Sequence, residues 1–295
     1  MVSRSINLSL IVFLGLSLGL ILAQIGLFFE PFLAYFLMVL MFFTCLKIDL
    51  SDFRRIDIRT IFVALFLVFV FMPLLSLVGT LFSPLFFAGI LLAFSCPTAV
   101  ATAFFSDALK GNSSLAIVLT TITSLISIVS LPITMLIGVG MLIKFDAISM
   151  ILSLIQIVLL PLIVAILLRR YFPKISDGAL KYGNFVSNVA LILVLWGGVA
   201  SGINYIQSNV YDFLEINLVI TFLLTIGIVV SYNVGKMFGR KNAITLTVAT
   251  LLKNSVLALV IGIITFGSGV LPALVAHLID QNILLIPLGL FLKNK

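Results

Sequence analysis

Charge is what this sequence has least of. Asp, Glu, Lys and Arg together make 9% of 295 residues, where an ordinary soluble domain carries about a quarter. A chain this poor in charge cannot cover a water-facing surface. Metal-binding and cross-linking residues are as scarce. The lone histidine, His277, has no companions with which to build a zinc site, and the two cysteines, Cys45 and Cys96, form neither a disulfide framework nor a metal spacing. Both cysteines fall inside apolar stretches and read as small buried hydrophobes. What remains is overwhelmingly apolar: 62% hydrophobic residues and a mean hydropathy of +1.36. These values place the chain in the membrane class. At about 20 residues per crossing of a bilayer core roughly 30 Å thick, the length fits about ten crossings with short loops and leaves no room for a soluble domain.

The apolar runs divide into ten predicted spans: 8–28, 31–47, 59–81, 84–108, 112–142, 146–169, 184–204, 215–237, 242–267 and 270–292. Arg4 followed by the first run resembles a secretory leader. The run is long for a cleaved segment and Ala23 makes a weak cleavage site, so it is read as the first span. Span 4 is interrupted near Cys96-Pro97-Thr98 and span 9 by Lys253-Asn254-Ser255. Prolines fall within spans 3, 5, 6 and 10 (Pro73, Pro132, Pro161, Pro272 and Pro287).

A net charge of +7 would suit a nucleic-acid binder, but its distribution excludes that. The basic residues sit in short loops. With the N-terminus in the cytoplasm, the inner segments carry Arg4, Lys47, Arg54, Arg55, Arg59, Lys110, Arg169, Arg170, Lys174, Lys181, Lys236, Arg240, Lys241, Lys293 and Lys295. The outer loops carry Lys144 alone. This asymmetry predicts a multi-pass protein of the cytoplasmic membrane with both termini inside. Five spans that begin inside end outside, so spans 1–5 (residues 1–142) and spans 6–10 (143–295) must run in opposite senses. In each half the fourth span is the interrupted one and a proline-containing span follows it. That is the layout of inverted-repeat secondary transporters.

Broken helices in a bilayer are tolerated where they line a cavity, and breaks in corresponding positions point to a binding site. Around the first break lie Ser95, Thr98, Thr102 and Ser106; a plain proline kink is the alternative there. Lys253 stands in the second break, too deep to reach the interface easily. A lysine at that depth costs about 2.5–3.5 kcal/mol to insert, so it is expected to face a cavity or to pair. Asp280, with His277 one turn before it and Gln281 beside it, is the other deep ionisable residue. A Lys253–Asp280 ion pair is the natural expectation. Span 5 opens Gly111-Asn112-Ser113-Ser114 and continues with Thr120, Thr121, Thr123 and Ser124; ordinary hydrogen bonding within a membrane helix explains these hydroxyls equally well.

The stretches Ser95-Cys96-Pro97, Gly111-Asn112, Leu119-Thr120-Thr121, Ser124-Leu125-Ile126 and Leu252-Lys253-Asn254-Ser255-Val256-Leu257-Ala258 resemble the bile acid:sodium symporter family. The resemblance runs in helix order over the whole chain, with its specific part in spans 4, 5 and 9. It implies an all-α membrane protein of ten helices in two inverted five-helix repeats. A core domain would hold spans 3–5 and 8–10, with broken spans 4 and 9 crossing. A panel domain would hold spans 1, 2, 6 and 7. The implied cargo is a small organic anion moved with sodium.

The departures are as informative. The family's Ser-Asn pair in span 4 falls on Thr102-Ala103. A serine ligand in span 5 falls on Ala116, while Thr120 keeps its hydroxyl. In span 9 the family's glutamate falls on Ala249 and its glutamine on Lys253; Asn254 and Ser255 match. Sodium requires several oxygen ligands, and an ammonium one turn from position 249 would repel it. Sodium-independent transport is therefore expected, with Lys253 in place of the bound cation and the proton as the alternative coupling ion. Lys253, Asn254, Ser255, Asp280, Gln281, Thr98, Thr102, Asn112 and Thr120 are the candidate substrate or coupling residues, and no metal site or cofactor is expected. The alternatives are a channel, a proton or cation antiporter of related fold using Asp280, and an intramembrane enzyme. Tyr211-Asp212 makes only half of an aspartyl-protease signature, in an outer loop, so no enzyme is expected.

Overall fold

The computed structural model describes residues 2–47, 57–208 and 210–293. Arg54, Arg55 and Lys295 lie outside the described residues, as do the side chains of Arg4 and Lys293. Everything described is helical apart from short turns and one isolated antiparallel bridge. The helices are α1 Val2–Ile21, α2 Leu33–Cys45, α3 Ile58–Leu81, α4 Pro84–Ser95, α5 Ala101–Ala108, α6 Ser113–Val139, α7 Ala147–Tyr171, α8 Pro173–Ser208, α9 Val210–Gly235, α10 Arg240–Leu251, α11 Ser255–Phe266 and α12 Leu271–Lys293. Among the described residues, seven helical stretches are long and apolar enough to cross a membrane. Shorter apolar helices cover Leu10–Ile21, Pro84–Ser95 and Ser255–Phe266. The chain has the build of a multi-pass membrane protein.

Local chemistry sets the ends. Asp57 caps α3 through the Arg59 N–H at 3.2 Å, Ser83 caps α4, Asn112 caps α6 through the Leu115 N–H at 3.1 Å, and Asp146 caps α7 through Ile148 and Ser149. Each side-chain oxygen accepts from an N–H that the helix leaves free. Gly239, with φ of 88°, makes the sharp entry to α10, a conformation that favours glycine.

The predicted loop over 170–183 is helical instead. α7 runs to Tyr171 and α8 begins at Pro173. Proline suits a first helical position, and the polar turns holding Lys174, Asp177 and Lys181 continue the helix beyond its apolar part. Hydropathy marks where a helix meets lipid, not where its backbone stops. Likewise α8 and α9 are separated only by residue 209, so the predicted loop over 204–214 is mostly helical.

Between α1 and α2 the chain reverses through Ala23–Gly26 and a 3-10 segment, Leu27–Phe32, that contains Pro31. Both arms of this hairpin pack along α8. Gly15 and Gly19 sit against Leu195 and Val199, and Gly197 and Gly183 meet Leu33 and Phe43. Small residues let membrane helices approach this closely. Helix α8 packs on α1, α2 and α7, and α2 packs on α7. The others surround α4, α10 and α11. On α4 every residue from Phe86 to Ser95 is buried, and on α10 every residue from Ala243 to Leu251. The α4 stretch is apolar on all sides up to Phe94, whereas α10 also buries Thr245, Thr247 and Thr250, each with its hydroxyl on a backbone carbonyl. Gly198 and Gly202 bring α8 onto Leu259 of α11 and Leu271 of α12, which joins the two groups.

Candidate functional site

Helix α4 stops at Ser95 because Pro97 disturbs the turn before it. The chain then runs extended to the start of α5. Helix α10 stops at Leu251 and the chain runs extended to α11. The two extended pieces meet. Thr98 and Lys253 form an antiparallel bridge. The Ala99 N–H donates to the Leu252 carbonyl and the Asn254 N–H to the Pro97 carbonyl, each at 2.8 Å. Each break thus satisfies the backbone groups that the other leaves open, which is what lets both exist away from water. The Thr98 N–H donates to Thr123 Oγ1 at 3.1 Å and Thr98 Oγ1 donates to the Ala249 carbonyl at 3.2 Å. Asn254 caps α11 through the Leu257 N–H.

Lys253 is fully buried in this crossing. Its backbone N–H donates to Gln281 Oε1 of α12 at 3.0 Å, and its Nζ donates to the Val68 carbonyl of α3 at 3.1 Å. The reason that carbonyl is free lies in α3. Leu67–Phe71 is a π-helical turn, in which the Met72 N–H reaches back five residues to the Leu67 carbonyl. The next bond of that kind would run from position 73 to Val68, and Pro73 has no N–H. Proline thereby opens an acceptor inside the membrane, and the lysine fills it.

The expected Lys253–Asp280 pair does not form among the described residues. The ammonium is directed to α3, whereas the Asp280 carboxyl is set against the Thr221 hydroxyl of α9 and leaves Oδ2 without a partner. Nor do Ala249 and Lys253 share a helix face: α10 has ended by then, and Ala249 packs with Ala64, Leu115, Leu119 and Leu246. His277 Nδ1 is 3.0 Å from Ser255 Oγ, and its ring stands edge-on to Phe94.

Two adjoining cavities flank the crossing. The larger, of ≈ 510 Å³, lies between α1, α2 and α8 on one side and the two breaks with α12 on the other. Lys253, Asn254, Ser255 and Gln281 line it, together with Asn184, Asn188 and Asn282. The smaller, of ≈ 270 Å³, is lined by Ala103, Thr120, Thr121 and Ser124. Met41, Thr44, Lys47, Val100 and Phe104 border both. Among the described residues, neither cavity has a carboxylate in its lining.

The remaining candidates are Asn112, Thr102 and Thr120, of which Thr120 lines the smaller cavity. Asn112 takes part in a cross-link: its N–H donates to Thr245 Oγ1 at 2.8 Å and its Nδ2 to Asn242 Oδ1 at 2.9 Å, which ties α6 to α10. Thr102 is buried with Oγ1 unpartnered. Thr120 Oγ1 donates to the Ala116 carbonyl at 2.8 Å. Sequence reasoning missed Lys47, which it read only as a loop charge, and Asn184 and Asn282. Lys47 directly ends an apolar span, and that was the available signal.

Sequence comparison with known proteins identifies the family. A probable sodium/metabolite cotransporter, BASS2, from Oryza sativa subsp. japonica is 35% identical over 89 residues, 30% of this chain and 21% of that protein. An uncharacterized sodium-dependent transporter, YocS, from Bacillus subtilis (strain 168) is 25% identical over 191 residues, 62% of this chain and 59% of that protein. BASS3 from the same rice, also a probable sodium/metabolite cotransporter, is 27% identical over 177 residues, 59% of this chain and 41% of that protein. The chain thus spans from a fifth to three-fifths of the length of these relatives. Residues 34–240, well over half of the sequence and including the first break, match the Sodium Bile acid symporter family, and the chain belongs to that family.

Proposed function

We propose that the protein is a secondary transporter of a small organic anion, working by alternating access across the cytoplasmic membrane without sodium. Ten spans in two inverted halves, residues 1–142 and 143–295, would carry the breaks at α4/α5 and α10/α11. Helices α1, α2, α7 and α8 would form the panel and the remaining helices the core, with cargo held in the cavity between them. The packing of α8 on α1, α2 and α7 and the position of the larger cavity support this reading. With the N-terminus cytoplasmic, Lys47 stands at the cytoplasmic end of that cavity.

The observation that carries sodium independence is the Lys253 ammonium on the Val68 carbonyl. A hard cation at a crossing of broken helices would be held by such oxygens; here a tethered positive charge already has one. The positions where relatives would supply ligands do not fit sodium. Ala249 and Ala116 are fully buried, Ala249 in an apolar cluster. Ala103 brings no amide to its cavity wall. The relatives named for sodium would differ from this chain at that point. The helix starts of α5 and α11 both border the larger cavity, and their partial positive charge favours an anion there.

The test is the thermal stability of the purified chain against a panel of organic acids, in sodium and in choline buffer. A ligand that binds the folded state raises the melting temperature. The expected result is stabilisation by at least one acid, equal in both buffers; stabilisation only in sodium would overturn the sodium-free reading. Asp280 supports a second reading, proton coupling: its buried Oδ2 has no partner and is where a carried proton would sit. Uptake that is insensitive to a proton gradient, and unchanged in Asp280→Asn, would remove it.

A further inference from the structure

The two cavities are lined by two lysines and, among the described residues, by no acid. Lys253 lines the larger cavity, but its side chain is fully buried and its ammonium is directed to the Val68 carbonyl on α3. Lys47 differs on every count. It follows the last turn of α2, it borders both cavities, and it remains exposed. Its Nζ donates to Asn184 Oδ1 of α8 at 2.9 Å. An ammonium has three donors, and among the described residues Asn184 takes one. That partner is a neutral amide, which orients the charge without neutralising it. The walls around it are largely apolar, with Ile11, Leu40, Met41, Phe104, Leu191 and Leu278 among them. A cation at the mouth of a cavity with low-dielectric walls focuses its field inward.

From this geometry we infer that Lys47 is the specificity-determining residue for the cargo's acidic group. Asn184 acts as its positioning partner, and the preferred cargo is a monoanion with an apolar body. The inference rests on the proposed transport of organic anions and adds the residue that recognises the charge. It also gives Lys47 a role besides orienting the protein in the membrane. The carboxylate displaces or joins the Asn184 amide on Nζ, and the apolar body lies toward Leu191 and Leu278.

Calorimetric titration of the purified full chain tests this with benzoate, hexanoate and 4-methyl-2-oxopentanoate, each beside its neutral amide. For an acid that binds wild type, Lys47→Met raises Kd roughly tenfold or more, Lys47→Arg stays close to wild type, and the amide binds both proteins alike. Lys47→Gln serves if the Met variant does not fold. Binding of the acid by Lys47→Met or Lys47→Gln as tightly as by wild type overturns the inference and leaves the transport reading standing. If none of the three acids binds wild type, the organic-anion reading and this inference fall together.

Discussion

The Lys253 ammonium donates to the Val68 carbonyl, which lies 185 positions away in sequence and is free because Pro73 cannot occupy it. A buried charge is tolerable only when it is hydrogen-bonded, so the π-turn of α3 and the lysine of the second break depend on each other.

Pro73→Ala tests that dependence. Removing a proline from a helix interior would ordinarily stabilise it. Here an N–H at position 73 would compete for the Val68 carbonyl and strand the ammonium. Loss of about 1.5–3 kcal/mol is expected, the worth of a hydrogen bond to a charged group. It would be read as a lowered melting temperature of the purified protein. An equal or higher melting temperature would show that the two features are independent.

Gln281→Leu removes the acceptor for the Lys253 N–H while keeping similar bulk. That buried N–H then has only the Leu251 carbonyl at 3.2 Å in a tight turn. A destabilisation of about 1–3 kcal/mol should follow, whereas Asn282→Leu, one residue on, should cost less, because Asn282 Nδ2 bonds within its own helix. Equal effects of the two substitutions would contradict the assignment.

Much of this was legible in the sequence, for reasons that can be stated. The breaks could be read because Pro97 forbids a helical turn and because a lysine is too costly in a lipid-facing helix. The helix cores could be read because lipid demands continuous apolar length. The partner of Lys253 could not. It is a backbone carbonyl, which leaves no residue-type signature, and the opposite charge of Asp280 pointed to the wrong neighbour. The α8 extension through Lys174 and Lys181 was hidden because helix propensity continues where hydropathy ends. Asn112 illustrates a third limit: a polar residue near a break serves a binding site or a helix cap equally well by type, and the distances to Thr245 and Asn242 make it a cross-link.

Orientation is tested by single cysteines labelled with a membrane-impermeant reagent. A cysteine at position 208 should react in intact cells, and one at position 181 only after lysis. The reverse pattern would invert the topology and put Lys47 at the outer end of the cavity.

Sodium should have little influence on transport. Uptake into proteoliposomes in sodium and in choline is expected to agree within about twofold, since Ala103, Ala116 and Ala249 supply no side-chain oxygen for a hard cation. A steep, saturable sodium dependence would mean that hydroxyls and carbonyls suffice by themselves.

Uptake by Lys253→Met is the most direct test of the central claim. Methionine keeps similar bulk and removes the charge. With Lys253 standing in for a bound cation, the variant should insert and fold but lose transport by at least about tenfold, equivalent to roughly 1.4 kcal/mol or more. Adding sodium should not restore it. Uptake at the wild-type rate, with the same dependence on pH and sodium, would show that Lys253 serves structure alone.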